Sequence, residues 1–269
     1  MKSTEKDRIR KASHLRGEDI NALIQDEILA LIVEDYYAAD LCATLSEKIL
    51  QSQQVQNYTH EIMENGKLTQ KYFGVDRLGV PFNSTYYAQS ESETVARYYE
   101  GAQTGIQRIR DFCSPAITPI DKLRLELDEK FHLGATVAAF QGKKMLAGIG
   151  RITKADLSYL SAEQPHFDAL PPQYAHLDAQ LAANIYLVVP DCGGELEVWD
   201  VPPVHPLSKV PSNWREILPP SILIAPKKGE LILFNCRRPH AVCSFAGQDR
   251  VTMQMFIGYQ NQKQLQLWN

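Results

Sequence analysis

The sequence predicts an α+β fold: a helical N-terminal half over residues 1–132, packed against a C-terminal double-stranded β-helix (a cupin-like jelly roll) over residues 133–269. Three observations lead there. Before residue 133, apolar residues recur at helical spacing. After it, segments become short, β-branched and broken by turn residues, the texture of a double-sheet antiparallel barrel. No Pro/Gly/Ser-rich linker separates the halves, so residues 1–269 are expected to form one domain.

In chain order, residues 1–20 are polar and expected to be irregular. Ile20 to Val33 reads as a helix, with Ile20, Leu23, Ile24, Ile28, Leu31 and Ile32 at helical spacing. Asp40 to Leu50 continues in that style with a stripe of Leu41, Leu45, Ile49 and Leu50. Residues 54–90 are mixed and turn-rich, with Asn65-Gly66, Gly79, Pro81 and Asn83. Glu91 to Phe112 is a long helical stretch that stops near Ser114-Pro115, because the residue before a proline is pushed out of the α region. Ile120 to Phe131 is a further helix, opened by Thr118-Pro119. The expected strands are Ala135–Ala139, Met145–Ile152, Ile185–Val189, Leu196–Trp199, Ile222–Ile224, Leu231–Phe234 and Val251–Gly258.

A net charge of −4 gives no electrostatic case for a nucleic acid or membrane surface, so a small soluble substrate is the expectation. The five cysteines are odd in number, scattered and without a Cys-X-X-Cys pair, which fits a reducing cytoplasm. The N-terminus lacks an apolar core of signal-peptide length, and no apolar run approaches a membrane span. The apolar stripes of the N-terminal half could face the barrel or a second subunit, which leaves a homodimer open.

The chemistry concentrates in His166-Phe167-Asp168, with His240 far downstream and Arg250-Val251-Thr252 beyond it. Two imidazoles and a carboxylate are the donor set of a non-haem Fe(II) site with open positions. In His-X-Asp the side chains lie two residues apart, so on extended backbone both reach one face. His240 follows the strand Gly229–Phe234 and would complete the set from a neighbouring strand. Arg250, Thr252 and Gln254 share a face by the same period of two. An arginine facing a barrel interior is costly unless paired. A dicarboxylate co-substrate supplies the partner, its distal carboxylate taking a bidentate guanidinium contact and a hydroxyl from Thr252, while its 2-oxo acid end chelates iron.

The ordered set Pro165-His166-Phe167-Asp168, Val189-Pro190-Asp191-Cys192-Gly193-Gly194-Glu195-Leu196, Gly229–Asn235, Pro239-His240-Ala241-Val242 and Gly247–Thr252 resembles the Fe(II)/2-oxoglutarate-dependent oxygenases. Within them it is most similar in texture to the bacterial branch of small-molecule aliphatic halogenases and amino-acid hydroxylases. The resemblance covers roughly residues 150–258; the N-terminal half carries no matching motif. It implies Fe(II), 2-oxoglutarate and O2 as cofactor and co-substrates, with His166, Asp168 and His240 as ligands. It also implies oxidative decarboxylation of 2-oxoglutarate to succinate and CO2, coupled to hydroxylation of an unactivated C–H. The halogenases have a small residue where Asp168 stands, so its presence favours hydroxylation.

Around that centre, Asn184 and Tyr186 alternate onto one face of a strand and are candidates for binding the co-substrate beside Arg250 and Thr252. Arg77, Arg151, Trp199, Gln254 and Trp268 are candidates for the substrate pocket, Trp268 as a closing flap or a packing residue. Arg237 and Arg238 flank the distal histidine, a pair that in a loop usually points to water. The leading expectation is a hydroxylase of a free amino acid or an amino-acid-derived metabolite. Peptidyl side-chain hydroxylation, desaturation or cyclisation by the same chemistry, and a non-catalytic ligand-binding cupin-like module stay open. A zinc hydrolase would leave Arg250 without a task.

Overall fold

The jelly roll expected of the second half is present, and the first half adds strands to it as well as helices. The computed structural model describes residues 8–64, 67–85, 93–162 and 164–269. The first half contains β1 (Ile9–Ala12), α1 (Gly17–Ile24), β2 (Ala30–Val33), α2 (Ala39–Leu50), β3 (Gln56–Glu64), β4 (Lys67–Leu78), α3 (Glu93–Cys113) and α4 (Pro119–Lys130). The second begins with β5 (Ala135–Val137), β6 (Ala139–Phe140), β7 (Lys143–Lys144), β8 (Ile149–Thr153), α5 (Tyr159–Ala162), β9 (Ala179–Val188) and β10 (Leu196–Val198). It closes with α6 (Trp214–Ile217), β11 (Ile222–Ile224), β12 (Leu231–Asn235), β13 (His240–Val242), β14 (Arg250–Tyr259) and β15 (Leu265–Trp268).

The larger sheet runs β1-β2-β12-β9-β14-β8-β4-β3, with β15 also on β14 and β5 on β15; the smaller runs β11-β10-β13. One face of the larger sheet carries Ala183, Ile185 and Leu187 of β9 with Val251, Met253, Met255 and Ile257 of β14. These pack against Leu23 of α1, Leu45 and Ile49 of α2, and Leu123 and Leu127 of α4. The opposite face carries Tyr186, Ile232, Phe234 and Phe256, and packs against Leu196, Val198 and Ile224 of the smaller sheet. Strands covered on both faces read as nearly continuous apolar runs, and fully burying each such side chain contributes roughly 1.5–3 kcal/mol. The polar residues of β14, namely Arg250, Thr252 and Gln254, therefore stand out on the face that looks between the sheets.

α2, α3 and α4 fall where helical spacing places them, and α4 is capped by Thr118 Oγ1, which accepts from Asp121 N at 2.8 Å. Three expectations are corrected. The helix expected over Ile20–Val33 divides into α1 and β2, with Asp26 at φ 63° breaking it. Residues 30–33 are buried on both faces between β1 and β12, so an all-apolar strand imitated helical spacing. Within the stretch expected to be irregular, residues 9–12 form β1, parallel to β2, and α1 begins at Gly17; residues 1–7 lie outside the described residues. The turn-rich stretch 54–90 holds the long β3–β4 hairpin, which adds to β8; Asn65-Gly66 and Glu91 lie outside the described residues. The first half is thus helical with four strands woven into the barrel sheet, and the β13 and β15 strands were not foreseen.

Asp19, in the first turn of α1, ties the N-terminal segment down. Its side chain is fully buried and accepts from Arg10 Nη1 at 2.7 Å and Arg16 Nε at 2.9 Å. Burial works against the charged carboxylate, but the two arginines outweigh it and hold the carboxyl below its ordinary value. The stabilisation is thus complete above the unfolded carboxylate's pKa and is lost as pH falls through the native one. Asp19→Ala is expected to lower stability by about 1–3 kcal/mol, read as a shift of the urea midpoint; an unchanged midpoint would remove this role.

Candidate metal centre and co-substrate pocket

An extended loop lays His166 directly against the start of β13. His166 N donates to His240 O at 3.0 Å and His240 N donates to His166 O at 2.8 Å, an isolated antiparallel bridge. Directly opposed residues share a face, so the two imidazoles meet with ring centroids 4.4 Å apart. Asp168 N donates to Cys236 O at 2.8 Å, which continues the extended path and turns the carboxylate to the same side. The donor atoms of His166, Asp168 and His240 all lie within 4.8 Å of one another, with His240 Nε2 3.5 Å from Asp168 Oδ2.

Backbone carbonyls orient both rings. His240 Nδ1 donates to Arg238 O at 2.9 Å, and His166 Nδ1 to Gln164 O at 3.3 Å. A carbonyl only accepts, so each Nδ1 bears the proton and each Nε2 keeps its lone pair. Phe234 packs edge-on against His240 at 4.9 Å. His166 lies within the protein mass but faces solvent through an open mouth; desolvation, reinforced by His240, lowers its imidazole to about 4. Burial would raise the Asp168 carboxyl, yet the adjoining His240 and His166 rings and the Arg151 charge bring it below its ordinary value. Two neutral imidazoles and one carboxylate on one side of an open space suit a divalent metal with vacant positions, Fe(II) above others.

Arg250 is buried on the interior face of β14. Its Nη2 donates to Tyr186 Oη at 3.1 Å, and its guanidinium lies over the Tyr186 ring at 4.8 Å. Its Nε has no partner, and no carboxylate pairs with it among the described residues. The adjacent Asp249 is committed elsewhere, to Lys154 Nζ at 2.5 Å and Ala155 N at 2.9 Å. A guanidinium cannot shed its charge, so a buried one without an acid points to an anionic ligand. Thr252 is opposite Tyr186 and Gln254 opposite Asn184 across the β9–β14 pair, beside a register shift at Val251/Thr252. The side chains of Thr252 and Asn184 make no hydrogen bond among the described residues, which leaves a hydroxyl and an amide free on the Arg250 face.

The other expected pocket residues divide. Arg151 on β8 is opposite both Thr252 and Arg77, donates to Gln254 Oε1 at 2.6 Å and stacks over Tyr58 at 5.4 Å. Arg77 is half-buried and donates to Gly79 O at 2.6 Å. Trp199 is buried under the Arg215 guanidinium at 5.2 Å, and its backbone N–H donates to Pro239 O at 3.1 Å, so it braces the approach to His240. Trp268 is a core residue of β15 packed on Phe256 at 5.8 Å, not a flap. Arg237 and Arg238 also depart from expectation. Arg238 is 2% exposed and paired with Asp26 and Asp200, and Arg237 donates to Leu177 O at 3.0 Å. Both anchor the loop whose carbonyl orients His240. Gly193 and Gly194 hold φ of 80° and 74°, and a Cβ on Gly193 would stand 2.3 Å from Ser244 O, so the turn carrying Glu195 and Leu196 needs glycine there.

Tyr58 and Asn83 were not foreseen. Tyr58 is buried, donates to Asn83 Oδ1, and senses the charges of Arg151, Asp168 and Arg77. Burial pushes its phenol up to about 12, so it stays protonated. The pairing of the β3–β4 hairpin with β8 brings Tyr58 to the site, Asn83 follows in the turn beyond β4, and no local motif announces either.

Residues 157–258 match the family model for the 2OG-Fe(II) oxygenase superfamily. The fold is similar to that of an N-substituted L-amino acid dioxygenase from Burkholderia ambifaria AMMD, with a TM-score of 0.62 and 16% identity over 94% of this chain and 91% of that one. A structure of the same description in complex with alpha-KG gives a TM-score of 0.60 and 15% identity over the same shares. No curated protein sequence matches the chain. No helix among the described residues is long and apolar enough to cross a membrane.

Proposed function

We propose that the protein is an oxygenase using Fe(II), 2-oxoglutarate and O2, in keeping with the family-model match over residues 157–258 and the His166, Asp168 and His240 cluster, and that it hydroxylates an unactivated C–H of a free amino acid or an amino-acid derivative. His166, Asp168 and His240 are the residues that would hold the iron, through both Nε2 atoms and the carboxylate. Arg250 would take the distal carboxylate of 2-oxoglutarate, with Tyr186, Thr252 and Asn184 completing its hydrogen bonds. The iron supplies the oxidising chemistry when bound. The chain's own residues deliver two neutral imidazoles and an anion, hold a dry cationic site for the co-substrate, and leave one side open for substrate.

The observation that carries this reading is the buried Arg250 without an acid, on the interior face beside three convergent metal donors. The halogenases that the chain resembles have a small residue where Asp168 stands, so its carboxylate supports hydroxylation. The amino-acid substrate class is supported by what the Burkholderia protein acts on and by Arg77 and Arg151, opposed across the β4–β8 pair. We read residues 1–269 as one catalytic unit, because strands from both halves share the larger sheet. All five cysteines are unpaired, in keeping with a reducing cytoplasm.

The test is anaerobic titration with Fe(II) and then 2-oxoglutarate. The expected result is a weak visible metal-to-ligand charge-transfer band that is lost in His240→Ala. Iron binding with no band would sink the reading.

A further inference from the structure

We infer that the substrate is a carboxylate-bearing small molecule whose carboxylate is gripped between Arg77 and Arg151, with Tyr58 as the floor of the subsite. This rests on the oxygenase reading above and narrows its substrate class.

Arg77 and Arg151 are directly opposite each other across the β4–β8 pair. Arg151 is also opposite Thr252, so both guanidinium-bearing side chains lie on the face shared with Arg250, Thr252 and Gln254. Like charges directly opposite on a sheet repel and destabilise it. Neither arginine forms an ion pair with any described residue. Several other arginines meet acids, Arg8 with Asp26 at 3.0 Å, Arg110 with Asp121 at 2.7 Å and Arg124 with Asp121 at 2.9 Å, whereas Arg237 is held by backbone carbonyls and Arg250 has no acid. Two opposed, half-buried cations without an ion-pair partner are therefore an arrangement completed by a ligand anion.

The braces on the pair fit that task. Arg77 donates one N–H to Gly79 O, and Arg151 one N–H to Gln254 Oε1, each at 2.6 Å, which leaves other donors of both forks open. Arg151 rests on the Tyr58 ring, whose hydroxyl is tied to Asn83. This floor holds the guanidinium plane in one orientation, as bidentate capture of a carboxylate requires. Burial lowers the Arg77 pKa, in keeping with a desolvated site. With Fe(II), 2-oxoglutarate, Asp168 and Arg250 together carrying no net charge, the charges of Arg77 and Arg151 remain for the substrate. Arg151 is opposite Thr252 and hydrogen-bonded to Gln254, so an anion held there shares the face of β14 that carries Arg250.

The experiment uses the full chain loaded anaerobically with Fe(II) and 2-oxoglutarate. The charge-transfer band is recorded first, and binding is then measured by calorimetry. The probes are N-acetyl-L-leucine, N-acetyl-L-phenylalanine and N-acetyl-L-glutamine, each beside its carboxamide and its phosphonate analogue. At least one acid should bind 10-fold or more tighter than its amide, roughly the worth of a charge-assisted contact. Arg77→Gln and Arg151→Gln should each weaken the acid by roughly 10–100-fold, leave the amide unchanged and keep the band. Arg151→Lys, which retains charge but not the fork, should fall between. Equal binding of acids and amides across the set, or a preference retained in both glutamine variants, overturns the inference. So does tighter binding of the phosphonates, which would assign the pair to a phosphate-type anion. A missing band with the carboxylate preference intact would sink the co-substrate reading and leave this one standing.

Discussion

Asp168→Ala is expected to abolish substrate oxidation while leaving the protein folded. The carboxylate is the one anionic donor among three convergent groups, and its Oδ2 is 3.5 Å from His240 Nε2. Removing it leaves two imidazoles, a set that binds divalent metal weakly and no longer fixes which positions stay open. Outer partners of metal ligands typically cost 10–100-fold when mutated, so loss of the ligand itself should exceed that range. The fold should survive because Asp168 is anchored through its backbone N–H to Cys236 O, a bond that alanine keeps. Product formation and iron content, measured beside a thermal melt, check all three parts. Undiminished turnover in Asp168→Ala would count against the triad.

The second large effect is expected at Arg250. Arg250→Gln should weaken 2-oxoglutarate binding by roughly 10–100-fold, the worth of charge-assisted hydrogen bonds to one carboxylate. Iron affinity should change little, because the guanidinium is not a metal donor. Without co-substrate, the same variant should melt no lower than the parent protein, since it removes a buried cation with no acid beside it. A role in packing alone predicts the opposite: a lower melt and an unchanged co-substrate requirement. Calorimetric titration of 2-oxoglutarate into the metal-loaded variant, with a melt of the metal-free one, separates the two.

The catalytic half of the fold was legible because its signals are local. Strand β12 is a short apolar run and β14 alternates polar and apolar residues, β9 was read only over its second half, and α2, α3 and α4 repeat apolar residues at helical spacing. β2 was misread because a four-residue apolar strand buried on both faces has no period to display. The β3–β4 hairpin was hidden for a related reason: its alternation is weak, and its place in the sheet is set by pairing with β8. Trp268 was ambiguous in the sequence since a tryptophan is equally at home in a core or a lid; only pairing of β15 with β14 decides for the core.

The sequence by itself determined the donor types, the spacing that brings His166 and Asp168 to one face, and the alternation that puts Arg250, Thr252 and Gln254 on one side of a strand. These follow from backbone geometry over two to four residues, which no distant contact needs to supply. Only the tertiary structure decided that His240 lies opposite His166, that Arg238 is buried on Asp26 and Asp200, and that Arg77 faces Arg151. Each of those pairs joins residues far apart in the chain, and their register is set by how whole sheets bury their apolar faces.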